Sequence, residues 1–178
     1  LNCREIAEHQ SVTGLPADGV LQFYQSDHGN ESRVRFFPAG TSLGAAVVPE
    51  LIQSQKLLLA EFGIEFGMLP TIPHYETDIY KSLHLSEEND ELLAETRACL
   101  NAEIQKAQHG LHQIGGYPDA VQGDVFTEVE YYAAGKKQSW DEAAARAHHW
   151  RLLLQFDTDG DLDVMWGDAG MIYFCIRE

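Results

Sequence analysis

Two β-favouring runs, Trp150–Asp157 (WRLLLQFD) and Asp168–Ile176 (DAGMIYFCI), bracket the dipeptide Asp159-Gly160. An Asp-Gly pair between two strands specifies a hairpin turn, and a hairpin commits both runs to antiparallel pairing. A similar arrangement stands near the start of the chain. Leu15–Gln25 (LPADGVLQFYQ) sets Pro16 and Asp18-Gly19 ahead of Val20, Leu21, Phe23 and Tyr24, a turn followed by a strand. Ser26–Glu31, with Asp27, Gly29 and Asn30, reads as a hairpin loop, and Ser32–Phe37 as the returning strand, closed by Pro38. Lys56–Met68 is expected to add a further strand. Ala60, Phe62, Ile64, Phe66 and Met68 alternate with period two, Gly63 and Gly67 disfavour helix, and Pro70 and Pro73 follow.

Two segments carry helical signals instead. In Ser86–Gln108, Ser86 suits the N-cap, while Glu87, Glu88, Asp90 and Glu91 crowd the positive end of the dipole. Leu93, Thr96, Leu100, Ile104 and Ala107 form its stripe, and Gly110 stops it. Ser139–His149 is shorter: Ser139-Trp140-Asp141-Glu142 is a capping box, and Ala143–Ala145 has high helix propensity. Strands that outnumber helices and pair through hairpins predict an α+β fold, mainly antiparallel sheet, with one long and one short helix. A short repeat is visible as well. LPADGVLQFYQ and WGDAGMIYFCI align Gly19 with Gly170, Leu21 with Ile172 and Phe23 with Phe174, which predicts two pseudo-repeated halves, about 1–85 and 86–178.

Composition narrows the function. With 178 residues, 44% hydrophobic and 22% charged, the chain is expected to bury one core as a single domain. Its 28 acidic against 12 basic side chains give a net charge of −16, which argues against nucleic acid and against anionic lipid as partners. Leu1–Gln10 has charges where a signal peptide would be apolar, and no apolar run approaches the roughly 20 residues of a membrane span. Cys3, Cys99 and Cys175 are odd in number and scattered, as expected of a reduced, cytoplasmic chain without a zinc site.

The segment HQIGGYPDAVQGDV (His112–Val125), the LLLQ strand and the WGDAG turn leading into an aromatic strand resemble the YwqG-like family, a bacterial domain of unknown function (domain of unknown function 1963). The opening LNCREIAE and LPADGVLQFY resemble the end of that family's first half. The resemblance implies a cytoplasmic bacterial protein of two similar β-rich halves, one domain over 1–178, and a longer parent with an earlier glycine-rich loop. The residues point the same way: Leu1-Asn2-Cys3 reads as the back half of a strand and GMIYFCIRE stops directly after one, so a fragment is expected. The resemblance supplies no activity and no catalytic residues.

The candidate ligand- or partner-binding residues are therefore chosen on chemistry: His112, Gln113, Gly115, Gly116, Tyr117, Pro118, Asp119, Gln122, Asp124, Trp166 and Asp168. Gly115-Gly116-Tyr117-Pro118 is first a turn device, and secondly a loop whose bare N–H groups suit a ligand; it lacks the lysine of a P-loop. His109 and His112 with Asp119 and Asp124 could ligate a metal, although a helix C-terminus and a Gly-Gly turn explain the histidines without one, and no metal or cofactor is expected. Asp157, Asp159, Asp161 and Asp163 alternate, yet Leu162 and Asp168 occupy the Gly and Glu places of a calcium loop, so an acidic hairpin tip is expected. Trp166 is expected to pack and Asp168 to bond the amides of its turn. His148-His149 again suits a helix C-terminus, and neither a G-x-S-x-G motif nor a cysteine in a visibly basic setting offers a nucleophile. These features favour a non-enzymatic binding module, an immunity-type inhibitor or adaptor for a basic protein. The alternative is a small-molecule or metal-dependent hydrolytic enzyme using His112, Asp119 and Asp124. That alternative requires those side chains to converge on one pocket; a further question is whether a pocket joins the Gly115-Gly116 loop to the Trp166–Gly170 turn.

Overall fold

A computed structural model describes residues 1–9, 14–25, 32–47, 50, 61–108 and 110–178, and the chain divides into two compact units, Leu1–Met68 and Leu69–Glu178. In the first unit the Asn2 side chain accepts a hydrogen bond from the Arg4 N–H and caps helix α1 (Cys3–Glu8). This corrects the strand expected over Leu1-Asn2-Cys3. Leu1 and Asn2 do lie antiparallel to the next element, with the Leu21 N–H donating to the Leu1 carbonyl at 2.9 Å, but the Asn2 cap turns the chain into helix at Cys3. Strands β1 (Val20–Gln25) and β2 (Ser32–Phe37) pair antiparallel in the expected places, Val20 opposite Phe37 and Gln25 opposite Ser32. Gly19 is obligatory before β1: its φ is +108°, and a Cβ there would stand 2.5 Å from the Phe37 carbonyl oxygen. Among the described residues of this unit, Cys3, Ile6 and Leu21 are the buried hydrophobic ones. The hairpin loop expected at Ser26–Glu31, and the Lys56–Ala60 part of the expected third strand, lie outside the described residues. The remainder of that strand, Glu61–Met68, has no regular secondary structure, and Phe62, Ile64 and Met68 are 52%, 60% and 72% exposed. Alternation supplies an apolar face, but a strand also needs a neighbour for its N–H and C=O groups.

The second unit is built on the hairpin from which the sequence argument began. Strands β3 (Trp150–Asp157) and β4 (Met171–Arg177) pair antiparallel, with a register shift between Leu152 and Leu154, and Asp159 bridges Val164 across the turn. Helix α2 (Asp78–Ser82) is capped by Thr77. The long helix α3 (Glu87–Gln108) follows, with the Ser86 hydroxyl accepting from the Asn89 N–H at 3.4 Å. Its half-buried stripe is Leu93, Arg97, Leu100, Asn101 and Ile104; Thr96, expected in the stripe, is exposed and donates its hydroxyl to the Leu92 carbonyl. The Ala107 side chain lies outside the described set. Helix α5 (Trp140–Arg146) carries the expected capping box between Ser139 and Glu142, and a 3₁₀ turn, Ala147–His149, delivers the chain to β3.

Helix α4 (Val125–Ala133) is an addition to the two expected helices, as are α1 and α2. Asp124 caps α4, accepting from the N–H groups of Phe126 and Thr127 and, at 2.6 Å, from the Thr127 hydroxyl. Phe126, Ala147 and Leu152 form the core against which Trp150, Tyr173 and Cys175 pack. Beneath it Glu130, 2% exposed, accepts the Trp150 indole N–H at 2.8 Å and pairs with Arg177 at 3.5 Å. The described residues thus make an α+β fold with two small antiparallel sheets, β1–β2 and β3–β4. No helix among them is long and apolar enough to cross a membrane.

Candidate functional site

The glycine loop is organised from below by one buried amide. Gln155, in the middle of β3, is fully enclosed. Its Nε2 donates to the Leu111 carbonyl at 2.6 Å, and its Oε1 accepts from the Asp119 N–H at 2.9 Å. The backbones of Gln155 and Gln113 exchange two further hydrogen bonds, 2.9 and 3.1 Å. Gln113 in turn donates from Nε2 to the carbonyls of Gly115 and Tyr117, so the side chain spans the loop it enters. Gly116 sits at φ +70°, and a Cβ there would meet Thr71 Oγ1 at 2.6 Å. Thr71 Oγ1 meanwhile accepts from the Tyr117 N–H at 3.0 Å. Tyr173 closes the far side, donating its hydroxyl to the Asp119 carbonyl at 2.8 Å; burial pushes this phenol up to about 12. The carbonyls of Gly115, Tyr117 and Asp119 and the N–H groups of Tyr117 and Asp119 are thus paired, which holds the loop as a turn.

Beside it lies a small half-open cleft lined by Gln113, Tyr117, Pro118 and Asp119 from the loop, by Arg97 and Asn101 from α3, and by the segment Leu69–Ile72. Asn101 donates to the Asp119 carboxylate at 2.9 Å, and Arg97 donates to the carbonyls of Ile72 and Pro73. The cleft holds about 20 Å³. That is room for a water or two, whereas small-molecule pockets run to roughly 300–1,000 Å³.

His112 is fixed at both ring nitrogens. Nδ1 accepts from the Asp157 N–H at 3.1 Å, which places the proton on Nε2, and Nε2 donates to Asp159 Oδ2 at 3.0 Å. Asp159 also accepts from the N–H groups of Asp161 and Leu162. Burial alone would raise its carboxyl, but the His112 and backbone donors outweigh that and hold it below its ordinary value. Asp157 accepts the Leu111 N–H at 2.8 Å. Asp157 and Asp159 are thus both held by hydrogen bonds, and among the described residues no three His, Cys, Asp or Glu side chains are arranged to hold a metal. The His109 half of the His109/His112 pair lies outside the described residues.

The eleven candidates are thus not brought together as one constellation. Gln113, Tyr117, Pro118 and Asp119 line the cleft, while Gly115 and Gly116, at φ +65° and +70°, belong to the loop without lining it. His112 faces the β3–β4 hairpin turn, Asp124 caps α4, and Gln122 is exposed. Trp166 packs on Phe156 at 5.8 Å between centroids, and neither it nor Asp168 lines the cleft. Asp168 is exposed and bonds no amide of its turn; Thr158 does that work, accepting from the Trp166 N–H and donating to the Gly170 carbonyl. Sequence reasoning missed Thr71, Arg97, Asn101, Gln155 and Tyr173. Only Gln155 left a signal, as a polar residue within the apolar run WRLLLQFD.

Comparison with curated proteins and with solved structures gives no match for the chain. A family model does match, over residues 1–178 and so over the whole chain, and its description is Domain of unknown function (DUF1963). On that coverage, and with the Gly-Gly-Tyr-Pro loop and LLLQ strand locked together as described, the chain belongs to the DUF1963 family.

Proposed function

We propose that this chain is a non-enzymatic binding module that engages a basic protein partner through the exposed face of α3. One observation carries the reading. Glu87, Glu88, Glu91 and Glu95 are exposed on α3, none of them forms an ion pair among the described residues, and Leu92 between them is 60% exposed. Carboxylates with no internal partner and an apolar residue in their midst suit a cationic surface that also buries a side chain. The helix dipole accounts for acids in the first turn, but Glu91 and Glu95 lie beyond it. A catalytic reading has weaker support: His112, Asp119 and Asp124 are each committed to a different local hydrogen bond, and the cleft is water-sized.

The test is co-purification with wild type and with Glu88→Gln/Glu91→Gln/Glu95→Gln, after circular dichroism shows equal helix content. A basic protein retained by wild type, released at about 1 M salt where the screening length is about 3 Å, and not retained by the variant is the expected outcome. Retention that survives salt or the triple substitution refutes the reading, as does the recovery of no basic protein.

A further inference from the structure

The connection between α4 and α5 presents an aromatic surface that the acidic face of α3 does not involve. Tyr131 lies against Tyr132, ring centroids 5.8 Å apart and edge-on, and against Trp140 at 5.6 Å. Tyr132 is 59% and Trp140 48% exposed. Their polar tips are also unused: the hydroxyls of Tyr131 and Tyr132 and the Trp140 indole N–H have no partner among the described residues. The contrast is Trp150, whose N–H is spent on Glu130. Gly135 and Lys136, at φ +66° and +59°, end α4 and set the Lys136 ammonium 4.5 Å over the Tyr132 ring. Lys136 and the exposed Lys137 form no ion pair among the described residues. Of the nearby acids, Glu142 is bound to Ser139 and Glu130 to Trp150, while Glu128 and Asp141 are exposed. A single exposed aromatic needs no explanation; a contacting Tyr-Tyr-Trp set beside two unpaired lysines matches the composition of binding hot spots.

We propose that Tyr131, Tyr132, Trp140, Lys136 and Lys137 form a docking surface for an acidic, proline-rich segment of a partner protein. The occupant follows from hydrogen-bond complementarity and charge. The surface offers an indole N–H, two phenol hydroxyls and two ammonium groups as donors. A proline-rich segment is the reverse. Its extended backbone leaves carbonyls free to accept, its prolines have no N–H to satisfy, and their flat rings stack on Tyr and Trp. Carboxylates on the same segment meet Lys136 and Lys137. A neutral saccharide also stacks on aromatics, but it brings no carboxylate to meet Lys136 and Lys137.

The ¹⁵N-labelled chain is titrated with a nonapeptide of three Pro-Pro-Glu repeats, with its Pro-Pro-Lys counterpart and with cellobiose, while the Trp140 indole N–H resonance is followed. The expected result is a saturable shift with the glutamate peptide, a dissociation constant at least about tenfold weaker for the lysine peptide, and a similar loss in Tyr132→Ala. Lys136→Glu, at an exposed turn, provides a second variant and is expected to weaken the glutamate peptide alone. Absence of a saturable shift, equal binding of both peptides, or a response to cellobiose only would overturn the proposal. Failure on this surface leaves the acidic face of α3 untouched, because none of its residues is shared.

Discussion

Gln155 shows how much one side chain can decide. Its amide is enclosed and spends donor and acceptor on the Leu111 carbonyl and the Asp119 N–H. Gln155→Leu keeps the approximate volume but strands both groups, each at about 1–3 kcal/mol. We expect a loss of roughly 2–5 kcal/mol in urea unfolding, with backbone resonances of 111–119 shifting most. A second residue-scale prediction concerns the thiols. Cys99 is exposed, Cys3 is 1% exposed with its thiol raised chiefly by burial, and burial pushes Cys175 up to about 12. Because the thiolate is the nucleophile, Ellman's reagent at pH 8 is expected to titrate Cys99 in a fast phase. The other two should follow slowly, and faster only in denaturant. Two fast thiols in the folded chain would contradict this assignment of burial.

At the scale of elements, α4 shows what the structure does with a residue chosen for its carboxylate. Asp124 stood out in the sequence for its carboxylate near two histidines, whereas the structure spends both oxygens on capping a helix. Asp124→Ala is expected to cost about 1–2 kcal/mol, and Asp124→Ser to recover most of it, because a hydroxyl caps well and ligates metal poorly. Equal losses in both variants, measured by thermal unfolding, would restore the ligand reading. The β3–β4 hairpin and both flanking helix caps were legible because each rests on contiguous signals: an Asp-Gly turn, a capping box, a Ser before an acidic turn. Helix α1 and the lack of a strand at Glu61–Met68 were not, since Asn2 looked like strand sequence and Phe62–Met68 alternates as a strand should. Deciding either case needs knowledge of which backbone groups find partners, and that is non-local. The cleft was half legible for the same reason: its loop is one contiguous motif, but Arg97, Asn101 and Thr71 reach it from other segments.

For the whole molecule, a charge of −16 makes like-charge repulsion a cost of the compact state. Two buried carboxyls, Glu130 and Asp159, couple that compact state to pH. The Trp150 N–H, assisted by Gln138 and Arg177, holds Glu130 below its ordinary 4.5 against the opposing effect of burial. Burial raises Asp159, but His112 and two backbone N–H groups bring it below its ordinary 3.8. A carboxyl whose folded value is depressed contributes stability above its unfolded value and loses it as pH falls through the folded one. The expected Tm therefore falls as pH drops below about 4, where both carboxyls take up protons. Added salt should raise Tm at pH 7 by screening the repulsion. Glu130→Gln keeps an acceptor for Trp150 but has no charge to lose, so its acid limb should be shallower than that of wild type. If the variant keeps the wild-type slope below pH 4, Glu130 is not the group that couples this fold to protons, and Asp159→Asn is the variant on which the remaining slope must then depend.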